Sequence, residues 1–372
     1  MKTWHIWDPP DNVYVGLEPN FREKFFNIMF EKFGGKRPYA RFLGVAQMTA
    51  KRYHKGYFEK KGVIYPLAIP ISLFKKSKTL INKELIEELE SNIIYLKAIS
   101  RANAIYSPKL PFKESAAFYR TVSHIIGDGS ASKGKTPYYS NQTQELRQQF
   151  MQDLLSFGDM KIYERKPLTT EMVYFPKVLS DILAHILNIK FSYPTHLPQS
   201  IFTANKKCKS ALVQALFDDE GTVSTSISIS MKSKRIIEQL KKLIERLMVS
   251  CTAVSKNNNN GCYTVSISKK DVLNIKRFKE KIGFSQHKKR KYLECTIKTK
   301  ERVQRTRDQK FLKKEILSFL QKDDYSTMQI ANQLQLSLGH TLKILKIMEK
   351  ENKTKVKGHK NKFIWSTMVL PI

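Results

Sequence analysis

The chain has 372 residues, with 66 Lys plus Arg against 33 Asp plus Glu, a formal charge of +33. That excess is spread over the whole length and points to a polyanionic partner, nucleic acid first. A membrane surface is the weaker choice, because the longest apolar stretch, around Tyr65 to Phe74, is short and broken by Pro66 and Pro70.

Apolar residues make up 41% of the chain, enough for real cores, and the length predicts about two to four domains. The opening, Met1-Lys-Thr-Trp-His-Ile-Trp-Asp-Pro-Pro10, has no continuous apolar run and no small-residue cleavage site, so it does not read as a secretory signal. The expected location is therefore intracellular: cytoplasmic and nucleoid-associated. Cys208, Cys251, Cys262 and Cys295 show no Cys-x-x-Cys spacing, which predicts free thiols rather than a zinc site or a disulfide framework.

Residues 1–78 read as an N-terminal, α-helical, helix-turn-helix-like domain. Helices are predicted over Phe21–Phe30, Lys36–Leu43 and Ala46–Lys55, with the turn Leu43-Gly44-Val45 before a third helix carrying Gln47, Thr49, Lys51, Arg52 and His54. A helical hairpin that merely packs gives the same pattern. Residues 79–112 read as a helical linker, with a helix from about Asn82 to Ser100 and prolines at 108 and 111.

Two look-alike segments dominate the middle of the chain: Thr121-Val-Ser-His-Ile-Ile-Gly-Asp128-Gly129 and Val213-Gln-Ala-Leu-Phe-Asp-Asp-Glu220-Gly221. Each reads as an apolar helix ending in a carboxylate and then glycine. Glycine supplies the helix stop, and a carboxylate at a helix C-terminus sits where the macrodipole disfavours negative charge. Two such acids brought together need a cation or a shared proton, which makes a divalent metal the natural candidate. Solvated acids at two unrelated helix ends are the plain alternative.

After each segment the same order follows. In the first copy an extended stretch over Ser130–Ser140 precedes a helix over Gln142–Phe157, strands over Met160–Lys166 and Glu171–Phe175, and a helix over Lys177–Leu187. In the second, strands across Thr222–Met231 precede a helix over Ser233–Met248, strands near Ala253–Lys256 and Tyr263–Ser268, and a helix over Asp271–Ile282. The turn Asn257–Gly261, rich in asparagine, suits a hairpin. The prediction is an α+β fold of two pseudo-symmetric αββαββα repeats, at 113–200 and 201–300.

Residues 306–372 read as a separate winged-helix domain. An amphipathic helix over Lys310–Leu320, a capping box at Ser326-Thr-Met-Gln329, a third helix from Ser337 to about Lys350 and a hairpin over Thr354–Thr367 complete it. The third helix would offer His340, Lys343 and Lys346 to a groove, and the wing would set Lys355, Lys357, His359, Lys360 and Lys362 on backbone phosphates. A protein-binding winged helix is the alternative.

These motifs resemble the LAGLIDADG homing endonucleases in their single-chain, two-motif form, over about Ser115 to Leu293. The eighth motif position is Asp128 in one copy and Glu220 in the other. The third, where the family prefers Gly or Ala for close helix approach, is Ser123 and Ala215, and the seventh is Gly127 and Asp219. The Lys281-Ile-Gly-Phe284 ending followed by His287-Lys-Lys-Arg-Lys291 also looks like the family's second repeat.

The resemblance implies motif helices packed side by side and sheets that saddle the DNA major groove. It implies Mg²⁺ or Mn²⁺ held by Asp128 and Glu220, with Asp219 as a further ligand. The activity expected is double-strand cleavage of DNA at a specific site. A lysine should offset transition-state charge, and Lys177, Lys269 and Lys270, just before the last helix of each repeat, are the choices. Readout is expected from Ser224, Ser226, Ser228 and Ser230, which alternate with Val223, Thr225, Ile227 and Ile229. Lys133, Lys135, Lys288, Lys289 and Arg290 are further nucleic-acid contacts.

Two repeats in one chain predict a monomer. Two other readings use the same surface: a transcriptional regulator that keeps the fold as a non-cleaving DNA platform, and an RNA-processing or splicing-assisting protein.

Overall fold

The computed structural model describes residues 2–98, 103–132, 135–166, 170–224, 226–257, 260–269, 271–303, 309–334, 336–358 and 363–368. The chain divides into two compact units, Met1–Leu212 and Val213–Ile372.

In the first unit, α1 (Pro19–Lys32) starts at Glu18, whose carboxylate accepts from Phe21 N, and buries Phe21, Phe25, Phe26, Met29 and Phe30. These pack against α2 (Lys36–Leu43) and α3 (Gln47–Lys55), so the three predicted helices stand. A hairpin of Tyr57–Lys60 and Val63–Pro66 follows, then α4 (Ile71–Ser77) and α5 (Lys83–Ser91).

The helix expected over Asn82–Ser100 ends at Asn92, and Ile93–Ala98 is a strand. It lies at the centre of an antiparallel five-stranded sheet in the order Asp159–Met160, Ala104–Tyr106, Ile93–Ala98, Val13–Leu17, Ile69–Pro70. Leu96 and Val15 are paired and wholly buried. Residues 79–112 thus hold a helix and sheet strands rather than a helical linker. Met160 joins this sheet, and only Tyr163–Arg165 of that predicted strand belongs to the repeat.

The first repeat runs α6 (Ala116–Ile126), strands Gly129–Ser130 and Tyr138–Ser140, α7 (Gln144–Leu154), strands Tyr163–Arg165 and Met172–Tyr174, and α8 (Lys177–Leu187). Taken in chain order, its four strands lie first, second, fourth, third. Tyr139, Phe150, Val173 and Phe175 are buried between sheet and helices. The long helix α9 (Lys206–Glu220) opens at the end of this unit.

The second repeat continues from α9 with strands Gly221–Val223 and Ile227–Met231, α10 (Lys234–Arg246), strands Ser255–Lys256 and Tyr263–Ser266, and α11 (Val272–Lys281). Its strands again lie first, second, fourth, third. Ile227, Ile229 and Val265 face α10, whose Ile236, Ile237, Leu240, Leu243 and Ile244 are all buried. Both repeats therefore show the predicted αββαββα order, a mixed α+β architecture.

A basic helix, α12 (His287–Val303), packs on α11 and on Gly221–Val223 and runs into the C-terminal module. That module has α13 (Gln309–Leu320), α14 (Thr327–Gln333), α15 (Leu338–Lys350) and a sheet in the order Tyr325–Ser326, Ile364–Thr367, Thr354–Lys357. Leu312, Ile316, Ile330, Ile344, Leu345, Met348 and Trp365 form its core. The capping box at Ser326 and Gln329 is present. The module is thus three helices with a three-stranded sheet.

Candidate active site and nucleic-acid face

The first motif helix, α6, starts on Ser115, which caps Phe118 N at 3.0 Å. Buried Ser123, at the third motif position, donates through Oγ to the Leu212 carbonyl of α9 at 2.7 Å. A small side chain is needed there, because anything longer would push α6 away from that carbonyl. The helix ends at Gly127, Asp128 occupies the turn, and Gly129 opens the first strand. A Cβ on Gly129 would lie 2.4 Å from Ile125 Cα. Asn141 Nδ2 donates to Asp128 Oδ2 at 3.0 Å. Asn141 is held in turn by buried Arg147, which donates to its carbonyl at 2.9 Å and pairs with Glu164 and Glu171.

The second motif end also turns on glycine, although its acid is the last helical residue rather than part of the turn. A Cβ on Gly221 would lie 2.5 Å from the Phe217 carbonyl, so here too the chain can leave the helix only through glycine. Three acids precede it, and they play different parts. Asp218 is buried and accepts from Ser285 N and Gln286 N, both at 3.0 Å or slightly longer, which ties the helix end to the loop after α11. Glu220 is the last residue of α9. Burial, and next the charge of Asp219, hold its carboxyl above the usual range, while Lys289 works the other way. Lys289, from α12, donates to the Phe217 carbonyl at 2.9 Å and the Asp218 carbonyl at 2.5 Å. It thereby satisfies carbonyls that a helix C-terminus leaves open and sets a cation beside an acid.

The outer faces of the two sheets differ. In the second repeat Ile227 and Ile229 face inward and hydroxyls line the opposite face, with Ser228 itself buried. Ser228 Oγ lies 3.0 Å from Thr222 Oγ1 and 3.1 Å from Ser226 Oγ, and Ser230 Oγ lies 2.6 Å from Thr264 Oγ1. Ser224 lies in the turn before Ser226. In the first repeat the outward residues are tyrosines. Tyr174 pairs with both Tyr138 and Tyr163, stacks on Tyr163 at 5.2 Å, and Arg165 covers Tyr163 at 5.1 Å. Sequence reading missed this ladder, because the three tyrosines come together only once strand register is known.

Residues 207–283, from α9 through α11, match the family described as the LAGLIDADG-like domain. The chain carries a LAGLIDADG-like domain. The replication factor C small subunit of Methanocaldococcus jannaschii is 29% identical over 252 residues, 62% of this chain. The chain spans 13% of the length of that relative. Solved structures that resemble it include mesophilic variants of the homing endonuclease I-DmoI, at 21% identity, covering 46% of this chain and 97% of that one, TM-score 0.35. I-DmoI in complex with DNA and Mn gives 22% identity, 47% and 99% coverage, and TM-score 0.36. Full-length DUF199/WhiA from Thermatoga maritima gives 12% identity, 65% and 93% coverage, and TM-score 0.35.

Of the lysines chosen from sequence for the LAGLIDADG chemistry, Lys177 is ion-paired with Asp181 on its own helix. Lys269 is pushed down to about 8, by burial and then by Lys300. Lys270 lies outside the described residues, as do Lys133, Thr225, His359, Lys360 and Lys362. The cation acting on Glu220 is instead Lys289, which sequence reading set among the DNA contacts. A run of basic residues at a helix start gives no sign of which one turns inward. Lys135, Lys288 and Arg290 are exposed, as are Lys343, Lys346, Lys355 and Lys357. His340 is not: it is half-buried, and burial, then Lys343 and Lys300, hold its imidazole below the usual range.

Among the described residues no three His, Cys, Asp or Glu side chains gather as a metal cluster. Magnesium does not require one, since it takes one or two carboxylates and fills its shell with water and substrate phosphate. Glu220, with Asp219 beside it at a helix C-terminus, offers hard oxygens and a negative potential that a divalent cation relieves. The donor set fits Mg²⁺ or Mn²⁺. No helix among the described residues is long and apolar enough to cross a membrane.

Proposed function

We propose that this chain is a monomeric, site-specific, metal-dependent DNA endonuclease of LAGLIDADG type that makes a double-strand break. The observation that carries the reading is Glu220 with Lys289. Glu220, partly buried beside Asp219, and Lys289, anchored on the carbonyls of the same helix end, pair an oxygen donor with a cation, as metal-assisted phosphodiester hydrolysis requires.

Glu220 with Asp219 assisting, and Asp128 at the end of the other motif helix, would each hold Mg²⁺ or Mn²⁺, which supplies Lewis acidity at a phosphate and an acidified water. The chain's own groups do the rest. Asn141 fixes the orientation of Asp128, and Asp218 anchors the segment from which Lys289 comes. Lys289, fixed by two carbonyls, would offer positive charge to a phosphate bound at this helix end as it gains negative charge. Outward hydroxyls in one repeat and tyrosines in the other would read base edges, and exposed lysines would hold the phosphates.

The test is incubation of the purified chain with a randomised duplex library in Mg²⁺ and in Ca²⁺, followed by sequencing of ends and of bound fragments. Recurrent double-strand ends in Mg²⁺, lost in Ca²⁺ and in Asp128→Asn, are expected. Bound fragments without cut ends would instead support the non-cleaving regulator, a reading favoured by the C-terminal module of three helices and three strands. Preferential retention of RNA would favour a role in RNA processing.

A further inference from the structure

The hairpin after α3 has no role in the endonuclease reading. Its strands, Tyr57–Lys60 and Val63–Pro66, pair with each other and with no further strand among the described residues. A two-stranded ribbon that covers no core is at best marginally stable in water. This one nevertheless exposes Ile64 (63%), Val63 (51%), Tyr65 (42%) and Tyr57 (40%). Four large apolar side chains on one small element exceed the scattered exposure of an ordinary surface.

Register shows how they are arranged. Phe58 pairs with Tyr65 and Lys60 with Val63, so these share one face, while Tyr57, Glu59, Ile64 and Pro66 share the other. The ribbon is therefore apolar on both faces. A ribbon that docks flat on a protein needs one apolar face, whereas one that enters a slot touches a wall on each side. Its base is fixed: the Phe58 and Tyr65 rings stack at 5.0 Å, and the Arg52 guanidinium of α3 lies 5.9 Å over Phe58.

The surrounding charge selects the slot. Lys51, Arg52 and Lys55 are exposed on α3, and Lys60 and Lys61 form the tip with Gly62. Glu59 is the only acid in Tyr57–Pro66. None of Lys51, Lys55, Lys60 or Lys61 is in an ion pair among the described residues. Apolar side chains rimmed by unpaired lysines complement a duplex: bases within, phosphates on both sides.

We propose that this hairpin is a wedge for duplex DNA, entering the minor groove tip first, with Val63 and Ile64 against a base step and Lys60 and Lys61 on the flanking phosphates. Such insertion partly unstacks the step and unwinds the duplex. The proposal rests on the duplex-binding part of the function above and not on cleavage.

Unwinding is read without knowing a target sequence. Closed circular plasmid is relaxed by a metal-independent topoisomerase in Ca²⁺ buffer with saturating intact chain, then freed of protein and resolved into topoisomers. The unmodified chain should leave the plasmid negatively supercoiled. The Val63→Ser/Ile64→Ser variant, with α-helical circular dichroism unchanged, should leave less than about half that shift at saturation. Lys60→Gln/Lys61→Gln should keep the shift at saturation while binding more weakly. A full shift from the Val63/Ile64 variant overturns the wedge, and so does plasmid binding by the unmodified chain without any shift, which leaves duplex binding standing. Failure of the unmodified chain to retain plasmid would refute duplex binding itself, and the wedge with it. Self-association that Ile64→Ser abolishes would assign the hairpin to a second copy and equally overturn the proposal.

Discussion

Lys289 reaches from the first turn of α12 to the carbonyl of Asp218, two residues before Glu220, and closes the helix that carries the acid. Because its charge also lowers the tendency of Glu220 to hold a proton, Lys289→Met should raise the Glu220 pKa further. Cleavage should fall about 10²-fold, and the acid limb of the pH–rate profile should move to higher pH. A limb that stays in place would place Lys289 outside the reaction.

Asp128→Asn and Glu220→Gln should each reduce cleavage by about 10²- to 10³-fold or more while duplex binding stays equal or tightens, since a metal ligand is lost and a charge that repels phosphate is removed. Parallel gel-shift and cleavage assays separate the two effects. Loss of binding in both variants would mean that the acids serve the fold.

The raised carboxyl of Glu220 also bears on stability. Its folded-state pKa lies above the ordinary 4.5, so the folded chain binds a proton more tightly than the unfolded chain does. Stability without metal should therefore fall as pH rises from 4.5 through the raised value, and Glu220→Gln should melt higher than the parent at neutral pH. Mg²⁺ should raise the melting temperature of the parent and do so less in the variant. A parent that melts no lower at neutral pH than Glu220→Gln would contradict the direction of the shift.

Gly129→Ala and Gly221→Ala should each cost about 1–3 kcal/mol, because the added Cβ meets backbone that cannot rotate away. Ser123→Leu should cost a similar amount, on the order of 1–3 kcal/mol, by forcing α6 off the Leu212 carbonyl. Chemical denaturation of the three variants measures these costs.

Raising salt from about 50 to 200 mM should weaken duplex binding by about 10³-fold if some six phosphates are neutralised. Anisotropy titrations at several salt concentrations give the slope. A flat response would remove the lysine-lined face from the binding model.

Much of this was legible in the sequence because it is local. The carboxylate–glycine endings at Asp128 and Glu220, the Ser326 capping box and the alternation through Ile227–Ile229 are short-range patterns. What escaped depends on partners far along the chain. Ile93–Ala98 continues the apolar spacing of α5 and becomes a strand only because Val13–Leu17 lies beside it. Asp159–Met160 is drawn out of its repeat by Ala104–Tyr106. Tyr138, Tyr163 and Tyr174 form a ladder only through register, and Lys289 differs from its basic neighbours only by the carbonyls it meets.

The two repeats have one strand order but are stocked with different side chains, tyrosines on one outer face and hydroxyls on the other. In a dimer of identical subunits every substitution is made twice, and the two halves of a bound sequence must change together. Under the proposed function a codon change here would alter one half alone. Such a chain would follow a non-palindromic sequence as it drifts, one half at a time.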